Sequence, residues 1–268
     1  MLAVPFSPRL RCLFALLCAC GFLPSLKAQS SEADLKTRLI DKPLYLRGFW
    51  RNDKLHFDSN GQLKESSDNL AFTLCGFDLR TVQLKPDRLI LEGRRVGLEL
   101  ADNQQKRISL DESMHIEITA NPTGNYGSAL DAIFADGLAD LVPSLPFYWK
   151  SYAQKNFLSA TATSPPPTQE EVPPKHIGGG ISPPKLLHSA DPKFNNVARS
   201  LKYGGQVIAN LWIEPDGTIS HLTVNRALGL GLDESALAAV QQYTFSPAIQ
   251  NGKPIQVELH VVVNFMIR

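Results

Sequence analysis

The sequence predicts an α+β protein in two parts: a mainly antiparallel β domain with helices at its C-terminal end, then a small α-β-β-α-β domain. Three observations predict it. The stretch "IQVELHVVVNFMI" (residues 255–267) has an apolar residue at every odd position and a polar one at four of six even positions. Such alternation places one row of side chains on each face of a strand. The stretch "SATATSPPPTQEEVPPKHIGGGISPPK" (159–185) separates two halves of different character. Before it, short β-like runs separated by turn signals give way to helical spacing.

At 268 residues the chain has room for one large domain or two modest ones. The net charge of +1 gives no reason to expect nucleic acid as a partner. Arg9 and Arg11 precede "CLFALLCACGFL", an apolar run bounded by Pro24 and shorter than the ~20 residues of a membrane span. Residues 1–28 are therefore expected to be a signal peptide cut after Ala28, which makes the mature chain exported and periplasmic. Two alternatives stay open: lipidation at Cys20 within Leu17-Cys18-Ala19-Cys20-Gly21, which would anchor the chain as a lipoprotein, and an uncleaved anchor. With the leader removed, Cys75 is the one cysteine left. It sits in "LAFTLCGFDL" and is expected to be a buried, inert thiol.

The N-terminal domain is expected over 29–158. "PLYLRGFW" and "KLHFD" are strand-like, and Asn60-Gly61 marks a hairpin turn. "NLAFTLCGFDL", "DRLILEGRRVGLEL" and "SMHIEITAN" follow as strands. Leu130, Ile133, Phe134 and Leu138 share one face of a helix that Pro143 and Pro146 stop, and "FYWKSYAQKNFL" is a second helix. The sheet is expected to be antiparallel or a partial barrel. In 159–185 the prolines argue against regular structure, and Gly178 to Gly180 form a loose joint.

The C-terminal domain is expected over 186–268. Asp191 is placed as the cap of a helix with Pro192 in its first turn and Phe194, Val197, Ala198 and Leu201 inward. Two strands flank Pro215-Asp216-Gly217. A second helix is expected to start at Asp233, with Ala236, Ala239, Val240 and Tyr243 inward. Asn251-Gly252 then turns the chain into the closing strand.

In motif order and spacing this half resembles the C-terminal domain of the TonB energy-transducer family. The resemblance rests on "GQVIANLWIEPDGTI", "LDESALAAVQQYTFSPAIQNGKPI" and the strand ending in Asn264-Phe265, about 80 residues in all. It implies a small sheet packed on two helices. It also implies an edge that captures an extended peptide, the TonB box of an outer-membrane transporter, as an added strand. The residues so implied are Gln256, Val257, Glu258, Leu259, His260, Val261, Val262, Val263, Asn264 and Phe265. The same edge could instead be used within the chain's own sheet or in a homodimer. The apolar run at the start is short and holds no histidine, unlike the family's motor-coupled helix. Direct coupling to ExbB–ExbD is therefore not expected.

No catalytic constellation stands out. The histidines show no HExxH or close metal-ligand spacing, and no Gly-x-Ser-x-Gly elbow occurs. "DSNGQLKES" places Ser67 where a calcium loop needs its bidentate Glu, so a hairpin turn is expected there. Asp131, Asp136 and Asp140 read as a solvated helical face. No enzyme, cofactor or metal is expected. The alternative is an exported enzyme or ligand-binding protein that acts through its N-terminal half, with the C-terminal domain as a tether or dimerisation unit.

Overall fold

A computed structural model describes residues 29–158 and 173–267. The leader, the Cys20 alternative and Pro165 to Pro167 lie outside the described residues.

The first described element is a helix that the strand pattern did not reveal, α1 (Glu32–Leu39). Ser31 caps it by accepting from the Asp34 N–H, and Leu35 and Leu39, one turn apart, are buried. Strands β1 (Leu44–Leu46), β2 (Lys54–Phe57), β3 (Gly76–Leu84), β4 (Arg88–Glu99) and β5 (Lys106–Thr119) follow. The expected turn forms: Phe57 bridges Leu63, and Asp58 accepts from the N–H groups of Asn60 and Gln62. Gly61 is required there. Its φ is 82°, and an added Cβ would lie 2.8 Å from the Ala129 carbonyl oxygen.

The helix expected across Leu130 to Leu138 is interrupted. Helix α2 (Gly127–Ile133) ends in strand β6 (Phe134–Asp136), and α3 (Leu138–Leu141) resumes beyond Gly137. β6 pairs with β1 over three residues. Edge pairing outweighs helical spacing here, and Asp136 does not join Asp131 and Asp140 on one helical face. Helix α4 (Phe147–Asn156) is as expected and buries Trp149, Tyr152 and Ala153.

The six strands form an open sheet ordered β2-β5-β4-β3-β1-β6, antiparallel except for the parallel β2–β5 pair. A bulge between Arg94 and Val96 re-aims Arg95. Its guanidinium is buried, bonds the carbonyls of Arg51 and Asn52 at 3.0 Å and pairs with Glu112 at 3.1 Å. Cys75 is free and fully buried, and burial pushes its thiol pKa up.

The second half of the connector is structured. β7 (Ile181–Ser182) and β8 (Lys185–His188) pair with β12 (Ala248–Gln250) and β11 (Thr244–Ser246). A two-residue strand fits between His176 and Pro183 because it sits on a sheet edge, where a missing N–H costs little. α5 (Asn196–Ser200) is shorter than expected. Asn195, not Asp191, caps it by accepting from the Ala198 N–H. β9 (Gly205–Ile213) and β10 (Ile219–Arg226) flank the predicted turn, and α6 (Leu232–Val240) follows. β13 (Lys253–Ile255) returns against β12, and β14 (Val257–Phe265) ends the fold. Ala236, Ala239 and Val240 are buried as expected, but Asp233 is not the cap of α6. Gly231 holds that position, and Asp233 lies inside the helix.

The two halves share their interior. One core unites N-terminal residues with Ala209, Val224, Ala227 and Leu237, and the other draws Leu74 and Leu110 into the C-terminal half. The end of β4 bonds the loop before α6: the Leu100 N–H reaches the Leu228 carbonyl at 2.9 Å, and the Leu230 N–H reaches the Leu98 carbonyl at 2.8 Å. Gly97 leaves room for Leu230, since a Cβ there would meet Leu230 Cδ2 at 2.4 Å.

Candidate functional site

The C-terminal sheet is ordered β10-β9-β14, so β14 has one partner and one outer side. It pairs with β9 antiparallel in unbroken register from Val257↔Ile213 to Phe265↔Gly205. Val257, Val263 and Phe265 are buried, and Leu259 and Val261 pack partly on the same core. The alternation seen in the sequence thus fixes the register: a slip by one would expose this row. Burial of each large side chain stabilises by roughly 1.5–3 kcal/mol.

The even residues face the other way. Gln256, just before the strand, donates to both oxygens of Glu214 at 2.9 and 3.0 Å. Glu258 accepts from Asn210 Nδ2 at 2.7 Å, and Asn264 accepts from Gln206 Nε2 at 2.9 Å. His260 and Val262 are exposed. Trp212, opposite Glu258 in the register, stacks on His221 at 3.6 Å between ring centroids.

Backbone direction decides what the outer side offers. The Gln256 carbonyl accepts from the Lys175 N–H at 3.3 Å, and the Glu258 N–H donates to the Lys175 carbonyl at 3.1 Å. Both therefore point away from β9. By the strand's period of two, the N–H and C=O groups of His260, Val262 and Asn264 point the same way. Among the described residues, the Lys175↔Val257 bridge is the one strand contact on that side. Beyond it lies a row of main-chain donors and acceptors, the feature that accepts an added strand.

The sequence did not mark Lys175, His176 or Gln250 as part of this region. The readable signal was Pro173-Pro174, which holds the chain before Lys175 extended. A second cluster was also missed, where the halves meet. The Asp233 carboxylate accepts from the Leu228 and Gly229 N–H groups, both at 2.7 Å. Trp149 Nε1 donates to Glu234 Oε1 at 2.9 Å, while Glu234 Oε2 is buried without a hydrogen bond of full geometry. Burial raises the pKa of Glu234 to about 7, with the nearby Asp233 charge as the second cause. Burial raises that of Asp233 to about 6 against its backbone donors.

The family described as "Gram-negative bacterial TonB protein C-terminal" matches residues 190–267. Residues 190–267 are thus similar to the TonB C-terminal domain. The chain is 28% identical over 110 residues to "Protein TonB" of Vibrio cholerae serotype O1, a match covering 38% of this chain and 45% of that relative. The chain thus spans under half the length of that relative. A solution NMR structure of the Pseudomonas aeruginosa TonB CTD is similar at 21% identity, covering 34% of this chain and 93% of that one, with a TM-score of 0.25. The match to the TonB-like domain leaves the six-stranded half outside it. No helix among the described residues is long and apolar enough to cross a membrane.

Proposed function

We propose that this is an exported, periplasmic protein that serves TonB-type transport. Its domain 186–268 binds an extended peptide of an outer-membrane transporter, or of another envelope partner, by strand addition at β14. Residues 159–185 connect it to the N-terminal domain 29–158. The observation that carries this reading is the outer side of β14: His260, Val262 and Asn264 direct main-chain groups outward with no partner strand among the described residues. Main-chain bonds give such capture its grip, and alternate side chains give it selectivity. Gln256 to Phe265 are the contact residues, and no catalytic step is assigned to the protein. The N-terminal domain supports this reading over a chemical one. Its interior is filled by Phe57, Phe72, Phe77 and Trp149, and the buried Thr73 and Arg95 side chains are engaged by backbone bonds and the Glu112 pair, while Arg107 Nη1 is buried without a hydrogen bond.

The test is binding of labelled TonB-box peptides to the full chain. Binding that maps by amide shifts to His260, Val262 and Asn264 is expected. Lack of binding at millimolar peptide would overturn strand capture, and a concentration-dependent dimer through β14 would replace it.

A further inference from the structure

We propose that the connector segment Pro173–His176 is a built-in occupant of this edge. It defines the peptide that the edge takes: an extended chain running parallel to β14, with a side-chain donor opposite Val257. This rests on the strand-addition reading above and extends it to polarity, chemistry and competition.

The geometry is that of a one-residue added strand. Lys175 bridges Val257 in the parallel sense, with its N–H on the Gln256 carbonyl and its C=O on the Glu258 N–H. Two side chains reinforce it. Lys175 Nζ donates to Gln250 Oε1 at 2.7 Å, and His176 Nδ1 lies 3.2 Å from Glu258 Oε2. Gln250 is itself held in the β12–β13 hairpin, and the Asn210 bond orients Glu258 from the other side. The receiving groups are therefore fixed before any peptide arrives, which lowers the ordering cost of capture.

The segment stops where it does for a local reason. Gly179 and Gly180 take left-handed φ values of 55° and 82°, and the chain turns off the edge into β7. Among the described residues, no strand pairs with the positions beside His260, Val262 and Asn264. A longer peptide in the same polarity gains those positions, and one that runs the full strand from Val257 displaces Lys175. The connector and the partner therefore compete, and the effective concentration of a tethered segment favours the connector until a longer or tighter peptide displaces it.

Replacing residues 173–176 by Gly-Ser-Gly-Ser in the full chain tests this, with Lys175→Pro as a milder variant that removes one donor. In the unaltered chain the Glu258 amide should exchange with solvent at least tenfold more slowly than in the replacement. A synthetic peptide of residues 170–180 should bind the replacement at least tenfold more tightly than the unaltered chain and restore Glu258 protection. The same peptide carrying Lys175→Glu should bind at least tenfold more weakly. Equal Glu258 exchange in both proteins, or equal binding of the 170–180 peptide to both, overturns the proposal. Failure of TonB-box peptides to bind either protein, with Glu258 protection still different, overturns transporter capture and leaves the connector's role standing.

Discussion

Asp233 and Glu234 are neighbours in sequence with opposite tasks. Asp233 uses both oxygens on two buried backbone N–H groups, so Asp233→Ala leaves both donors unmet. A loss of about 2–4 kcal/mol is expected, read as a lower denaturant midpoint at unchanged slope. Glu234 has one oxygen on the Trp149 indole and the other buried near the Phe72 backbone without a hydrogen bond of full geometry. Its pKa rises from 4.5 to about 7 in the folded chain. Folding therefore disfavours its ionised form. The stability it contributes is full below pH ~4.5 and is lost as pH rises through about 7, a change of about 3 kcal/mol. Glu234→Gln retains an acceptor for Trp149 and removes the ionisation. Its stability should change little between pH 6 and 7.5, where the unaltered chain loses stability. A Gln variant with the same slope as the unaltered chain would show that another group titrates there.

At the scale of the strand, the two rows of β14 amides predict opposite outcomes for proline. Val262 directs its N–H outward, so Val262→Pro should preserve the β9 ladder and the circular dichroism spectrum while weakening peptide capture at least tenfold. Val261 directs its N–H to β9, where proline removes a ladder bond in unbroken register. Val261→Pro should therefore cost at least about 2 kcal/mol of stability. Thermal melts of the pair, with peptide titrations on whichever folds, separate the two rows. Equal destabilisation by both would mean that the outer side of β14 is already paired in solution.

For the whole molecule, the shared interior changes what a cut in the connector should do. The sequence 159–172 carries Pro165 to Pro167 and no apolar period, the composition of chain that proteases cut first, so the first cut is expected there rather than in the paired stretch from Lys175 on. The two pieces should nevertheless migrate together in size-exclusion chromatography. Leu228 and Leu230 bond the end of β4, Thr73 accepts from the Gly231 N–H, and Trp149 holds Glu234. Gly229→Ala should release them. Its φ is 95°, and an added Cβ would lie 2.1 Å from the backbone oxygen of Leu98. Pieces of the unaltered protein that separate on the column would show the shared interior to be too small to hold them.

By itself the sequence determined the elements whose cause is local. The 255–267 alternation stated the strand and its inward row from Val257 to Phe265, because a period of two follows from the pleat alone; Ile255 falls in β13, and Ile267 lies past the strand end and is exposed. The turns at Asn60-Gly61 and Pro215-Asp216-Gly217 were legible because their backbone needs those residues, and the Cys75 run reads as buried because it is apolar on both sides. The motif order placed the TonB-like domain. Tertiary structure decided what depends on distant partners. β6 interrupts a helical pattern because β1 offers it an edge. Asp233 is a buried acceptor rather than a cap because the loop before α6 folds back over it. Asn195 displaces Asp191 as the cap of α5, and its amide reaches the Leu230 carbonyl at 2.7 Å. The partner of Lys175 is 82 residues away, and nothing local in a Pro-Pro-Lys-His stretch names Val257. A period can be read along a chain, but the neighbour across a sheet edge is set only when the chain has folded back to supply it.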